Sequence, residues 1–117
     1  MREIKFRVWN HQDKKMVNWE ALTNAKDEAV WLWLRQNKEQ VHNSLMQYTG
    51  LKDKNGVEIY ESDLIGIHEY GVCQVFWCER DLAWRILYDD AEIEFLSEFS
   101  SGEIEVIGST HTHPHLF

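Results

Sequence analysis

Short runs of alternating apolar and polar residues dominate this chain. Ile4, Phe6 and Val8 alternate with Lys5, Arg7 and Trp9, the period-2 pattern of a strand. Asn10-His11-Gln12-Asp13 supplies turn formers, and Met16 to Trp19 reads as a second short strand with Lys14 and Lys15 at the hairpin mouth. Between Thr23 and His42 the period lengthens. Val30, Trp33, Leu34 and Val41 fall on one helical stripe with Asn37 between them, Thr23 or Asn24 can cap, and Asp27 and Glu28 fall in the first turn. This predicts one α-helix. Trp31 flanks its stripe and Leu32 lies opposite it, so the helix is apolar on more than one side, which fits either a helix wedged between core elements or one that also contacts another subunit.

From Leu45 to Ile67 the chain reads LMQYTGLKDKNGVEIYESDLIGI. Asn55-Gly56 predicts a type I′ hairpin turn, because both residues tolerate positive φ. Ser62-Asp63 can bond local backbone N–H groups and redirect the chain into Leu64 to Ile67. Beyond it, Glu69-Tyr70-Gly71 reads as a tight turn before Val72 to Trp77. Leu82, Trp84, Ile86 and Tyr88 alternate cleanly, Asp89-Asp90 turns the chain, and Ala91, Ile93 and Phe95 alternate on the way back. Leu96 to Phe99 breaks the alternation as a helical turn would, before a last strand over Glu103 to Ile107. Several short strands with tight turns fit a small barrel.

LMQYTGLKDKNGVEIYESDLI, together with MREIKFRVWN at the start and IEVIG near the end, resembles the YopX-like family of small phage and prophage proteins. The resemblance brackets almost the whole chain, strongest over Leu45 to Ile65 and weakest between Asp13 and Asn43. It implies a mainly β protein on an SH3-like small barrel, encoded by a phage or prophage, with no established biochemical activity. Two departures stand out. Ser62 occupies a position where the family usually has Gly, and the tail THTHPHLF replaces one resembling NIYENPELL, so the tail histidines take no support from the family.

Composition narrows the function classes. A chain of 117 residues buries one core. Six Trp exceed what packing of so short a chain requires, and Trp is enriched at interfaces. A formal charge of −8, from 12 basic and 20 acidic residues, repels polyanions, which argues against phosphate-driven nucleic acid binding. With no apolar run of membrane-spanning length, no leader ahead of the first strand and only Cys73 and Cys78, a reduced cytoplasmic setting is expected.

Candidate chemistry is sparse. His111-Thr112-His113-Pro114 resembles the His-x-His-Pro core of JAMM zinc hydrolases, but no acidic residue follows it to complete the ligand set, so that activity is not expected. Cys73-x4-Cys78 with His111-x3-His115 has the local spacings of a Cys2His2 site. The odd Cys spacing puts the two thiols on opposite faces of a strand, and the gap to the histidines is long. An extended tail would place His111, His113 and His115 on one side, where a flexible polar tail capturing nickel or zinc adventitiously is expected ahead of a native metal site. Glu92 with Glu94, and Glu103 with Glu105, alternate onto sheet faces, with Glu98 between. These read as a solvated surface, or as a docking surface for a basic partner or a mimic of nucleic acid, rather than as an acid/base pair, which needs a cleft and unequal environments. No serine sits in a nucleophile motif and neither cysteine has a charge pattern that activates a thiolate.

The sequence therefore predicts a mainly β (α+β) protein: an N-terminal strand or hairpin plus one α-helix over residues 1–44, packed on an SH3-like barrel with a C-terminal tail over 45–117, together one compact unit. No catalytic residue, cofactor or metal site is assigned. The expected role is a non-enzymatic protein-binding or assembly module, self-associating through Trp31 and Leu32 or engaging a phage or host protein. Tyr48, Tyr60, Tyr70, Trp77 and Trp84 are candidates for an aromatic groove, with Trp84 favoured as core. The rival readings are a barrel that stacks single-stranded bases and a metal-binding protein using the tail histidines.

Overall fold

Asn10 closes the first hairpin. In a computed structural model that describes residues 3–24 and 26–116, strands β1 (Phe6–Asn10) and β2 (Lys15–Val17) run antiparallel. The Asn10 side-chain oxygen accepts from the backbone N–H groups of Gln12 at 3.0 Å and Asp13 at 3.1 Å, an Asx turn that fixes the reversal. On its other side β1 pairs with the start of β3 (Leu45–Lys52), in the register Phe6 with Gln47 and Val8 with Leu45. Being central, β1 is buried on both faces: Val8, Trp9 and Asn10 are all closed off, which is why Trp9 breaks the simple alternation.

Contacts divide the chain into two units, Glu3–Gln47 and Tyr48 onward. The first holds three helices where the sequence predicted one. Asn18 caps α1 (Trp19–Thr23) by accepting from Ala21 N–H at 2.9 Å, so Trp19 starts a helix instead of ending a strand. Asp27, not Thr23 or Asn24, caps α2 (Glu28–Gln36), accepting from Val30 N–H at 3.2 Å. The predicted continuous helix breaks at Asn37 before α3 (Lys38–Ser44). The Asn37 side-chain amide donates to Trp33 O at 2.8 Å, taking the carbonyl that a continuing helix would give to the Asn37 backbone. The Ser44 hydroxyl donates to Trp9 O and Gln40 O, tying α3 to β1.

The second unit is a curled antiparallel sheet, a half-barrel, which upholds the mainly β class and barrel-like curvature expected. The end of β3 pairs with β4 (Glu58–Tyr60). The five-stranded sheet comprises β5 (Asp63–Ile67), β6 (Gly71–Cys78), β7 (Ala83–Tyr88), β8 (Ala91–Phe95) and β9 (Ile104–Ser109), in the spatial order β8-β7-β6-β5-β9. Register shifts between Leu64 and Ile65 and between Ile86 and Leu87 mark bulges, which bend strands and increase twist. Ile59, Ile65, Ile67, Cys73, Val75, Ile86, Leu96 and Ile104 form the core, backed by Tyr70, Trp84, Ile93, Phe99 and Val106. Leu96 enters it from a 3-10 turn, Leu96–Glu98, placed where the alternation breaks. The Asp89-Asp90 reversal has positive φ at both residues, 48° and 64°, the signature of a type I′ turn.

Candidate functional site

The candidate surface is one face of α2. None of this helix's residues is buried. Val30, Trp33 and Leu34 are half-buried, as the stripe predicted, and Trp31 and Leu32 are 48% and 53% exposed. With Glu28 and Arg35 they line a shallow groove of about 320 Å³. Positions 28, 31, 32 and 35 share a face because a helix returns after three, four and seven residues. The Trp31 indole N–H donates to Asn24 O at 3.3 Å, so the exposed ring is held in one orientation. Glu28 sits in the first turn and Arg35 in the last, each matched to the helix dipole.

The five candidate groove aromatics do not line one groove. Tyr48 and Tyr60 form a buried pair with ring centroids 5.4 Å apart. Tyr70 packs on Tyr88 and Phe99 at 6.2 and 6.3 Å. Trp77 and Trp84 oppose each other across β6 and β7 with an edge-to-face contact of 5.0 Å, Trp84 against the core and Trp77 39% exposed. These are three separate ring clusters, the first on β3 and β4 and the other two on the five-stranded sheet.

Among the described residues Glu92, Glu103 and Glu105 each have a side-chain partner, whereas Glu94 and Glu98 have none. Glu92 receives Arg80 at 2.7 Å, and Arg80 and Arg85 converge on Asp81 at 3.2 and 2.8 Å. Hydrogen bonds from Arg80 and then Arg85 hold the Asp81 carboxyl below the usual carboxylate range. The Arg85 guanidinium also lies 4.7 Å from the centre of the Phe95 ring. Glu103 does not lie in β9. It folds back on Ser100, accepting from its N–H and hydroxyl at 3.0 Å each, a capping box for the turn Ser101–Glu103. Glu105 pairs with Lys54 at 3.3 Å.

Cys73 and Cys78 are both buried on β6 and both free. Burial pushes the Cys73 thiol up to about 11, while the Cys78 sulfur lies 3.5 Å from an Asp81 oxygen. The histidine segment is not extended. Ser109 Oγ accepts from the N–H groups of His111 and Thr112, Thr112 Oγ1 accepts from Ser109 N–H, and Pro114–Leu116 forms a 3-10 turn. This reciprocal pairing winds the chain as a capping box does, so the three histidines do not lie along an extended tail, and the His113 and His115 rings stand 5.9 Å apart. Among the described residues no three His, Cys, Asp or Glu side chains are grouped to hold a metal ion, and no helix is long and apolar enough to cross a membrane.

Sequence reasoning missed Asp53, read only as part of a turn. It is 3% exposed, and its carboxylate accepts three backbone N–H groups at 2.9 Å: Asn55 and Val57 at Oδ1, Val106 of β9 at Oδ2. Burial raises its pKa, and the three N–H groups together with Lys54 more than offset this, leaving the carboxyl below its ordinary value. The available signal was an Asp two residues before Asn-Gly, an Asx-turn position.

Comparison with known proteins places this architecture. A crystal structure of protein EF1440 from Enterococcus faecalis superposes with a TM-score of 0.62 over 99% of each chain at 21% identity, a likeness of fold. No curated protein matches the chain. The sequence profile of the family described as YopX protein matches residues 5–117, nearly the full length from the first strand to the tail, and the chain therefore belongs to the YopX protein family.

Proposed function

We propose that this protein is a phage- or prophage-encoded, cytoplasmic, non-enzymatic module that acts by binding protein, through the α2 face bearing Trp31 and Leu32. One observation carries the reading: adjacent large apolar residues stand about half exposed on a helix, with the Trp ring fixed by Asn24. Single exposed apolar residues are ordinary on protein surfaces. A pre-oriented Trp beside a Leu is the kind of anchor that centres protein interfaces, since little rotamer entropy is lost on docking. The partner is another copy of the chain or a phage or host protein. The net charge of −8 and the dispersal of the aromatic rings count against a surface that tracks a nucleic acid backbone.

The test is Trp31→Asp with Leu32→Asp, neither of which removes a buried side chain. Solution mass by light scattering and capture of purified candidate partners are compared with the parent protein. Association lost with the circular dichroism unchanged supports the reading. Association that persists undiminished sinks it, and salt-sensitive binding of single-stranded DNA or stoichiometric zinc in untagged protein would replace it.

A further inference from the structure

The α2 face is charged at its two ends with opposite sign. Glu28 and Arg35 stand two turns apart, roughly 10 Å, on either side of Trp31 and Leu32. Neither makes an ion pair or hydrogen bond through its side chain among the described residues. A two-fold axis passing between Trp31 and Leu32 sets a second α2 antiparallel to the first. It lays Trp31 on Leu32 of the second copy, Leu32 on its Trp31, Glu28 against its Arg35 and Arg35 against its Glu28. The face is complementary to itself in that one arrangement. A parallel pair would put Glu28 against Glu28 and Arg35 against Arg35.

We infer that α2 is a self-recognition helix, pairing antiparallel with α2 of a second copy through the Glu28, Trp31, Leu32, Arg35 face. The inference rests on the protein-binding reading above and names its partner. An isologous contact is the simplest closed assembly, and it requires a surface that complements itself under two-fold rotation. Antiparallel alignment also brings each helix's positive N-terminal end beside the other's negative C-terminal end. Four residues per copy cover far less than the roughly 800 Å² per partner of a stable interface. The pairing is accordingly weak and concentration-dependent, set by charge register more than by area.

The experiment is light scattering and sedimentation of untagged protein over a concentration series up to about 1 mM, the weak limit of specific association. The variants are Glu28→Arg, Arg35→Glu, the double reversal Glu28→Arg with Arg35→Glu, and Trp31→Asp. Each single reversal sets like charges opposite each other twice, and the midpoint concentration should rise about tenfold or more. The double reversal should restore dimerisation, and an equimolar mixture of the two single variants should form the heterodimer. Restoration separates pairing from helix stability. The double reversal opposes the helix dipole at both ends, so a role confined to α2's own stability makes it the weakest of the set. Circular dichroism confirms that each variant retains its helices.

A parent protein that stays monomeric to about 1 mM overturns the inference while leaving the protein-binding reading open to a different partner. A multimer dissociated by Trp31→Asp but indifferent to the charge reversals overturns the antiparallel register alone. A multimer indifferent to Trp31→Asp as well overturns both readings.

Discussion

Asp53 Oδ2 accepts the backbone N–H of Val106 at 2.9 Å, joining the β3–β4 loop to a strand 53 residues later. With Lys54 N–H donating to Ile104 O at 3.0 Å, the loop occupies backbone groups along β9, an outer strand of the five-stranded sheet. An outer strand left open invites pairing with other chains, and this loop closes part of it. Asp53→Ala leaves three N–H groups without their acceptor. It should destabilise the fold by about 3 kcal/mol, read as a lower midpoint in urea, with increased aggregation on heating. An unchanged midpoint would show that water replaces the carboxylate at no cost.

The same carboxylate sets an acid limit on stability. Its folded pKa lies below the ordinary 3.8, so the unfolded chain takes up the proton first as pH falls. Its contribution is present in full above the unfolded value and is lost as pH drops through the folded one. Asp53→Asn removes this titration. The stability gap between the parent protein and Asp53→Asn should stay constant from pH 7 down to about 5 and narrow below about 4. A gap that is flat throughout, measured by chemical denaturation at each pH, would exclude Asp53 as the titrating group.

Ser62 has φ 71°, inside the left-handed region that costs an L-residue free energy. The backbone around it is committed, with Ser62 N–H donating to Val75 O at 2.9 Å and Ser62 O accepting from Thr110 N–H at 3.0 Å. Its side chain makes no hydrogen bond among the described residues. A Gly at this position would adopt the same φ without that cost. Ser62→Gly should stabilise by about 0.5–1 kcal/mol after the greater freedom of unfolded Gly is deducted, raising Tm by about 3 °C. A lower Tm would show that the hydroxyl contributes something the backbone geometry does not reveal.

Most of the sheet was legible because strand alternation and turn residues report local geometry. Asp89-Asp90 and Glu69-Tyr70-Gly71 reverse the chain where the pattern says they should. The Asn55-Gly56 turn was located but mis-typed. Only Gly56 has positive φ, because the Asp53 side chain takes the N–H groups of Asn55 and Val57 and forms a wider loop. Periodicity could not reveal the helix break, since Asn37 keeps its place on the stripe while its amide displaces its own backbone from Trp33 O. The stripe alone left open whether the second apolar side of the helix was wedged between core elements or free for another subunit, and only the half-exposed Trp31 and Leu32 exclude the wedge. The flanking pair of opposite charges was also in the sequence, but its meaning needed the helix ends that Asp27 and Asn37 define.

Cys73 has no exposed surface and its thiol is pushed up to about 11 by burial, which leaves it protonated at neutral pH. It belongs to the core with Val75 and Ile65. Alkylation of Cys73 by iodoacetamide at pH 8 should be negligible in the folded protein and complete in denaturant, followed by peptide mass spectrometry. Rapid labelling of folded protein would mean that β6 opens locally far more often than its two-sided pairing with β5 and β7 implies.

Gly108, in the IEVIG segment, lies directly under the His113 imidazole. A Cβ at position 108 would intrude on the ring's Nδ1 and Cγ, and on the His113 Cβ as well, so the ring cannot clear the space by rotating alone. The segment above it is fixed by the Ser109 and Thr112 exchange, by His113 N–H donating to Ser109 O at 2.9 Å, and by the 2.8 Å contact between Thr112 Oγ1 and His113 Nδ1. Gly108→Ala should therefore cost about 1–3 kcal/mol as overpacking, with the tail displaced. In His113→Ala the ring is gone and only the Cβ contact, at 3.1 Å, remains, so adding Gly108→Ala should then cost much less. The pair should show a coupling of about 1 kcal/mol or more in a double-mutant cycle read by urea denaturation. Additive costs would mean that Gly108 serves its own strand, at the β5–β9 bulge, and that the histidine above it is incidental.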